Sequence, residues 1–329
     1  MLKAFNKSMA IQALLILAAL ALLWLKPILT SATMQPTSGD GILYRLLLSW
    51  LGDHSGWAIT LTMILVLSEG LVLNILLTSV GLVSQTSLLP TMLYILATSA
   101  NGIPLTPILL VNAVLIAFVG SLMLHGSSLS VSTSKISLAT AMLALCTMIY
   151  TPSIMFLATY LLVVINYRLY SWRDWLALIL GFAAPNIVLV VCLYLCHNLS
   201  GWWADLYSSG ITFGFNLDHM SITSIIANIF IALVMVIALI AQLSSQNERT
   251  IKWQKNASTV ILLYVGGIAM LTCEFPLTTA TAAFAIPFAL CGNTLLLPTN
   301  TGHTHTTTRK KSGIKEILFL LLILACLIC

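Results

Sequence analysis

Glu69 places a carboxyl group near the middle of an otherwise apolar run, LTMILVLSEGLVLNILL. If that run lies in lipid, the acid is costly there: insertion scales give about 2.5–3.5 kcal/mol for the comparable Asp at a helix centre. No Lys or Arg stands at matching depth in any other apolar run to pair with it. Three uses fit such a residue. It can carry a proton, form the polar wall of a substrate cavity, or sit protonated and hydrogen-bonded to a neighbouring helix. Gly70 beside it allows that neighbour to come close. Asn74, Asn112, Asn186 and Asn228 also fall in apolar runs, where amides hydrogen-bond between helices. Asn186 follows Pro185 in GFAAPN, and a helix broken by proline can line a cavity.

A second group of acids lies outside the apolar runs. Asp40 occurs in SGDG and Asp53 in GDHSG, with His54 and Arg45 nearby. A carboxylate in that setting can act as a base on a hydroxyl or help place a metal. Trp202, Trp203, Asp205, Tyr207, Phe213, Phe215, Asp218 and His219 crowd a later polar stretch. They fit an aromatic platform for a sugar or an isoprenoid, and equally an interfacial aromatic belt. Arg168 and Arg173 in YRLYSWRDW suit a lipid phosphate, and equally a cytoplasmic anchor. Cys192, Cys196 and His197 share one helical turn, and His303 and His305 are two apart, but neither set completes a metal site. A phosphate-binding glycine loop, a G-x-S-x-G elbow and an H-E-x-x-H pair are all missing. No cofactor is identified.

The elements that must hold these residues follow from composition. The chain has 329 residues, of which 14 are Lys or Arg and 9 Asp or Glu, a charged share of 7%. Soluble domains carry roughly 25%. Hydrophobic residues make up 59%, and the mean hydropathy is +1.03. Such a surface cannot be kept in water, so a cytosolic enzyme, a secreted disulfide scaffold and a disordered chain are excluded. The net charge of +5 is spread over short links rather than gathered in a stripe, so no nucleic-acid partner is implied. The seven cysteines lie in or beside apolar runs and form no C-x-x-C pair, as small hydrophobes do.

The apolar runs are continuous rather than alternating, which selects helices over a barrel. They cover roughly 9–25, 57–82, 105–125, 175–197, 221–243, 258–274, 277–297 and 314–329. The stretch 136–167 is too long for one span and is broken at Tyr150-Thr151-Pro152-Ser153, giving two helices and a tight turn. The stretch 86–100, with Pro90, reads as a span or a re-entrant piece. The first run resembles a secretory signal with Thr30-Ser31-Ala32 as its cleavage site; the many spans that follow favour an uncleaved helix.

Counting 86–100 as a span gives an all-α bundle of about eleven transmembrane helices in a single domain over 1–329. With the N-terminus inside and the C-terminus outside, twelve cationic residues face the cytoplasm. They are Lys3, Lys7, Lys135, Arg168, Arg173, Arg249, Lys252, Lys255, Arg309, Lys310, Lys311 and Lys315; only Lys26 and Arg45 lie outside. That asymmetry is what the positive-inside rule demands. Two outer segments are long, about 30–56 and 198–220, and an inner tether covers about 298–313. Within the first, ILYRLLLSWL is expected to lie on the membrane surface.

Four segments resemble an uncharacterised Bacteroidota family of polytopic inner-membrane proteins, recorded as a domain of unknown function. They are LLPTMLYIL (88–96), LTPILLVNAVLIAF (105–118), YRLYSWRDWLALILGFAAP (167–185) and AFAIPFALCGN (283–293). The resemblance implies a multi-pass topology in the cell inner membrane and transfers no catalytic residue. Separately, the order of a span, an outer segment with acids, a surface helix and many spans resembles integral-membrane glycosyltransferases that use lipid-linked sugars. That implies Asp40 or Asp53 as a base. Three function classes remain open: handling of lipid-linked sugars in envelope glycan assembly at the periplasmic face, proton-coupled transport or flipping, and a non-catalytic subunit of an envelope membrane complex. Membrane lipid, an isoprenoid-linked substrate and a membrane-complex partner are the implied partners.

Overall fold

The computed structural model describes residues 9–30, 39–51, 55–83, 87–100, 102–123, 133–167, 171–197, 200, 202–203, 222–245, 250–271, 279–296 and 308–328. Among these the chain is helical, with one isolated bridge, Asp40 to Tyr150, in place of any sheet. The helices are α1 (Met9–Thr30), α2 (Ile42–Leu51), α3 (Ser55–Ser79), α4 (Leu89–Ser99), α5 (Pro107–Met123) and α6 (Thr133–Ile149). A 3-10 turn over Thr151–Ile154 leads into α7 (Met155–Asn166) and α8 (Trp172–Leu195). Then come α9 (Ile222–Ser245), α10 (Ile251–Leu271), α11 (Ala280–Ala283), α12 (Ala285–Leu296) and α13 (Thr308–Ile328). Every apolar run read from the sequence overlaps one of these helices.

By length and composition four described stretches can cross a membrane: Met9–Leu29, Gly56–Ser79, Trp172–Leu195 and Thr223–Ser245. Shorter apolar helices fill the middle. Nearly every residue of α4 and α12 is buried, and the two pack on each other. Around this pair stand α1, α3, α9, α10 and α13, while α5, α6 and α8 form a second packed row. At 11 residues, α4 is about 16 Å long, well short of a 30 Å hydrocarbon core. A short helix with irregular ends is tolerated at that depth only when protein surrounds it, and α4 meets that condition.

Hydrogen bonds fix how α4 lies. At its start, Leu88 N–H donates to Gln12 Oε1 of α1 at 2.7 Å. At its end, Trp24 Nε1 of α1 donates to Ser99 Oγ at 3.1 Å. The two helices therefore run parallel. Thr91 Oγ1 donates to Gly70 O at 3.0 Å, and Leu105 N–H, just beyond α4, donates to Thr62 Oγ1 at 2.8 Å, so α3 runs antiparallel to both. Far from these ends, Asn166 Nδ2 donates to Ser258 Oγ at 2.7 Å, joining the end of α7 to α10.

Prolines mark some helix ends but not all. Pro90 lies in the first turn of α4, where its missing donor costs nothing. Pro152 starts the 3-10 turn that separates α6 from α7. Pro185, expected to break its helix, does not: α8 continues through it from Trp172 to Leu195. Proline forfeits a single ladder bond, and the turn before it is braced. Gly181 is pressed against Ser137 and Thr140 of α6 so closely that a Cβ there would collide with both.

Candidate functional site

Asp40 is built into the bundle. Gly41 N–H donates to Ile149 O at 2.9 Å, and Thr151 N–H donates to Gly39 O at 2.9 Å, so the chain at Asp40 pairs with the turn at Tyr150. Two glycines make this fit. Gly39 has φ +98°, a left-handed value that suits glycine, and lies against the Pro152 ring. Gly41 leaves no room for a Cβ before the Met148 carbonyl. As a result Asp40 is buried, 4% exposed.

Tyr44, one turn into α2, extends this arrangement. Its hydroxyl donates to Leu105 O at 2.7 Å. Leu105 sits at φ 43°, a conformation that side-chain-bearing residues avoid. Its N–H is held by Thr62 and its carbonyl by Tyr44, so both of its backbone polar groups are satisfied. Burial, and then the nearby charge of Asp40, push the Tyr44 phenol above its ordinary range, so it stays a donor. Asp40, Tyr44, Leu105 and the Tyr150 turn thus form one packed layer at one end of the bundle. From the sequence Tyr150 marks only the break between two helices, and for Tyr44 the one available signal is an aromatic hydroxyl in an amphipathic helix directly after an acid.

Glu69 lies elsewhere, on the buried face of α3 and 5% exposed. Its Oε2 accepts the Tyr94 hydroxyl of α4 at 2.5 Å. The Asn112 side chain of α5 lies beside that hydroxyl, and its Nδ2 donates to Ala282 O of α11 at 2.8 Å. Four helices meet through this chain of groups. Glu69 Oε1, Asn112 Oδ1 and Asn74 Oδ1 are buried without a hydrogen-bond partner. Gly70 does admit the neighbour anticipated for it, with Thr91 Cγ2 3.1 Å from where a Cβ would stand.

The remaining candidates are scattered. Asn186 turns back on its own helix, Nδ2 donating to Phe182 O at 2.8 Å. Asn228 does the same, donating to Ser224 O at 3.0 Å. Arg173 is exposed in the first turn of α8 beside Asp174. Trp202 and Trp203 have ring centroids 6.0 Å apart, with Trp203 exposed. Asp53, Arg168, Asp205, Asp218 and His219 lie outside the described residues. No group of three or more metal-ligating side chains occurs among the described residues.

A cavity of about 110 Å³ lies between α1, α4 and α13. Leu15, Leu22, Met92, Leu96, Phe319 and Ile323 are among its walls, and every lining side chain is apolar. Neither Asp40 nor Glu69 reaches it: Met92 and Leu96 face this cavity, whereas Tyr94 bonds Glu69 on α3. Comparison with family models, curated proteins and solved structures finds no match.

Proposed function

We propose that this chain is a multi-pass protein of the cell inner membrane that handles a lipid-linked sugar at the outer face during envelope glycan assembly. The observation that carries the reading is the cavity between α1, α4 and α13, whose walls are entirely hydrocarbon. Such a lining suits an acyl or isoprenoid chain and offers nothing to a polar solute. Asp40, a buried carboxylate paired with the Tyr150 turn at a bundle end and apart from the cavity, is the acid proposed to act on the sugar. The path through the membrane has its own support. Segment 39–44 touches both 102–106 and 149–153, and all three are assigned to the outer side by charge. Gln12 and Leu88, both assigned near the inner side, also meet. The similarity of segments 88–96 and 167–185 to an inner-membrane family favours the same membrane.

The test is genetic and chemical. Asp40→Asn, expressed at unchanged membrane abundance, should leave lipid-linked sugar intermediates accumulating as a deletion does. Unaltered lipopolysaccharide, capsule and lipid-linked intermediates in the deletion strain would remove the basis for the reading.

A further inference from the structure

We propose that Glu69, Tyr94 and Asn112 form a proton-binding site at the meeting point of α3, α4, α5 and α11, taking up and releasing a proton at Glu69. This is independent of the lipid reading, because the hydrocarbon cavity does not include these residues. The argument starts from the partners. One carboxyl oxygen accepts the Tyr94 hydroxyl, while the other, Oε1, is buried with no partner. A carboxylate placed there would need a cation or several donors. The helices packed on α3 are α1, α4 and α5. From α4 comes Tyr94 and from α5 the neutral Asn112; the one titratable residue of α1 is Lys26, two positions beyond the Trp24 that bonds Ser99 at the end of α4. On α3 itself no other residue titrates. One donor is enough to orient the carboxyl and too little to hold it permanently ionised.

The surroundings suit exchange rather than mere packing. Leucine at this position would pack as well in lipid, and a purely structural hydrogen bond needs no ionisable group. Tyr94 can give a hydrogen bond to Glu69 and accept one from Asn112, so its hydroxyl adjusts to either state of the acid. Unsatisfied oxygens on Asn74, a little over one turn along α3, and on Asn112 give further places for a proton carrier to bind. A metal cation is the less suitable ligand, since among the described residues no group of three or more metal-ligating side chains occurs.

Infrared spectroscopy of the full-length protein in liposomes tests this. In the wild-type minus Glu69→Gln difference spectrum, which cancels the other acids of the chain, the carbonyl stretch of a protonated acid should be present at low pH and decline as pH rises. Tyr94→Phe, which keeps the carboxyl and removes a donor to its charged form, should raise proton affinity about tenfold. A protonated-acid signal that stays constant over the whole pH range would overturn the proposal, as a structural acid gives that result. So would a difference spectrum without a titrating band, a midpoint unmoved in Tyr94→Phe, or a signal that sodium displaces at fixed pH. If Glu69→Gln does not fold, the Tyr94→Phe midpoint decides alone.

Discussion

Leu105 shows how a few side chains can hold an unfavourable backbone. Its left-handed conformation costs on the order of 1–3 kcal/mol, and Tyr44 and Thr62 secure it from opposite sides. Tyr44→Phe removes one of those bonds and leaves a buried carbonyl without a partner. We expect it to destabilise the protein by about 1–3 kcal/mol, seen as a lower Tm in detergent, whereas an unchanged Tm would mean the layer at Asp40 is not held this way. At this scale the sequence is only half legible. Asp40 and Glu69 stand out because charge is rare in the chain. Tyr94 and Tyr44, the residues that define their surroundings, sit in apolar segments among nine tyrosines, with no spacing that marks them. Their role depends on which helices are neighbours, which periodicity does not encode.

Elements here are joined by close approach. In lipid, helix association rests on packing and hydrogen bonds rather than on expulsion of water, so small residues at contact points matter most. Gly181 brings α8 onto α6, where a Cβ would strike Ser137 and Thr140. Gly181→Val should therefore separate the two helices at a cost of about 1–3 kcal/mol; wild-type resistance to limited proteolysis would contradict that packing. Gly41→Ala tests a different joint, between the segment before α2 and the end of α6, because the added methyl meets the Met148 carbonyl. It should loosen Asp40 and lower the Tm by a similar energy, and an unchanged Tm would show that the backbone can yield. Boundaries of elements were legible where the chemistry is local. ILYRLLLSWL forms α2 over its full length, and Tyr150-Thr151-Pro152-Ser153 does divide α6 from α7. Pro185 misled because the brace that keeps α8 whole comes from α6, far away in sequence.

For the whole molecule, composition alone gave an all-helical membrane protein, and the folded chain is helical with four stretches able to cross a bilayer. What composition did not reveal is the layering. The short helices α4 and α12, weak as spans on length, form the buried centre, while the long apolar helices stand around them. A span must be long as well as apolar, so α4 and α12 are passed over for their length although they are as apolar as α3. The layering is compatible with the proposed crossing of 86–100 despite its length: α1 bonds it at both ends through Gln12 and Trp24, and α3 through Gly70. The lipid-handling reading and the outer position of Asp40 both depend on that crossing. Dual-reporter fusions after residues 85, 103 and 210 measure it most directly. The account predicts cytoplasmic activity for the first and periplasmic activity for the other two. Fusions at 85 and 103 that report the same compartment, or a cytoplasmic signal at 210, would contradict it.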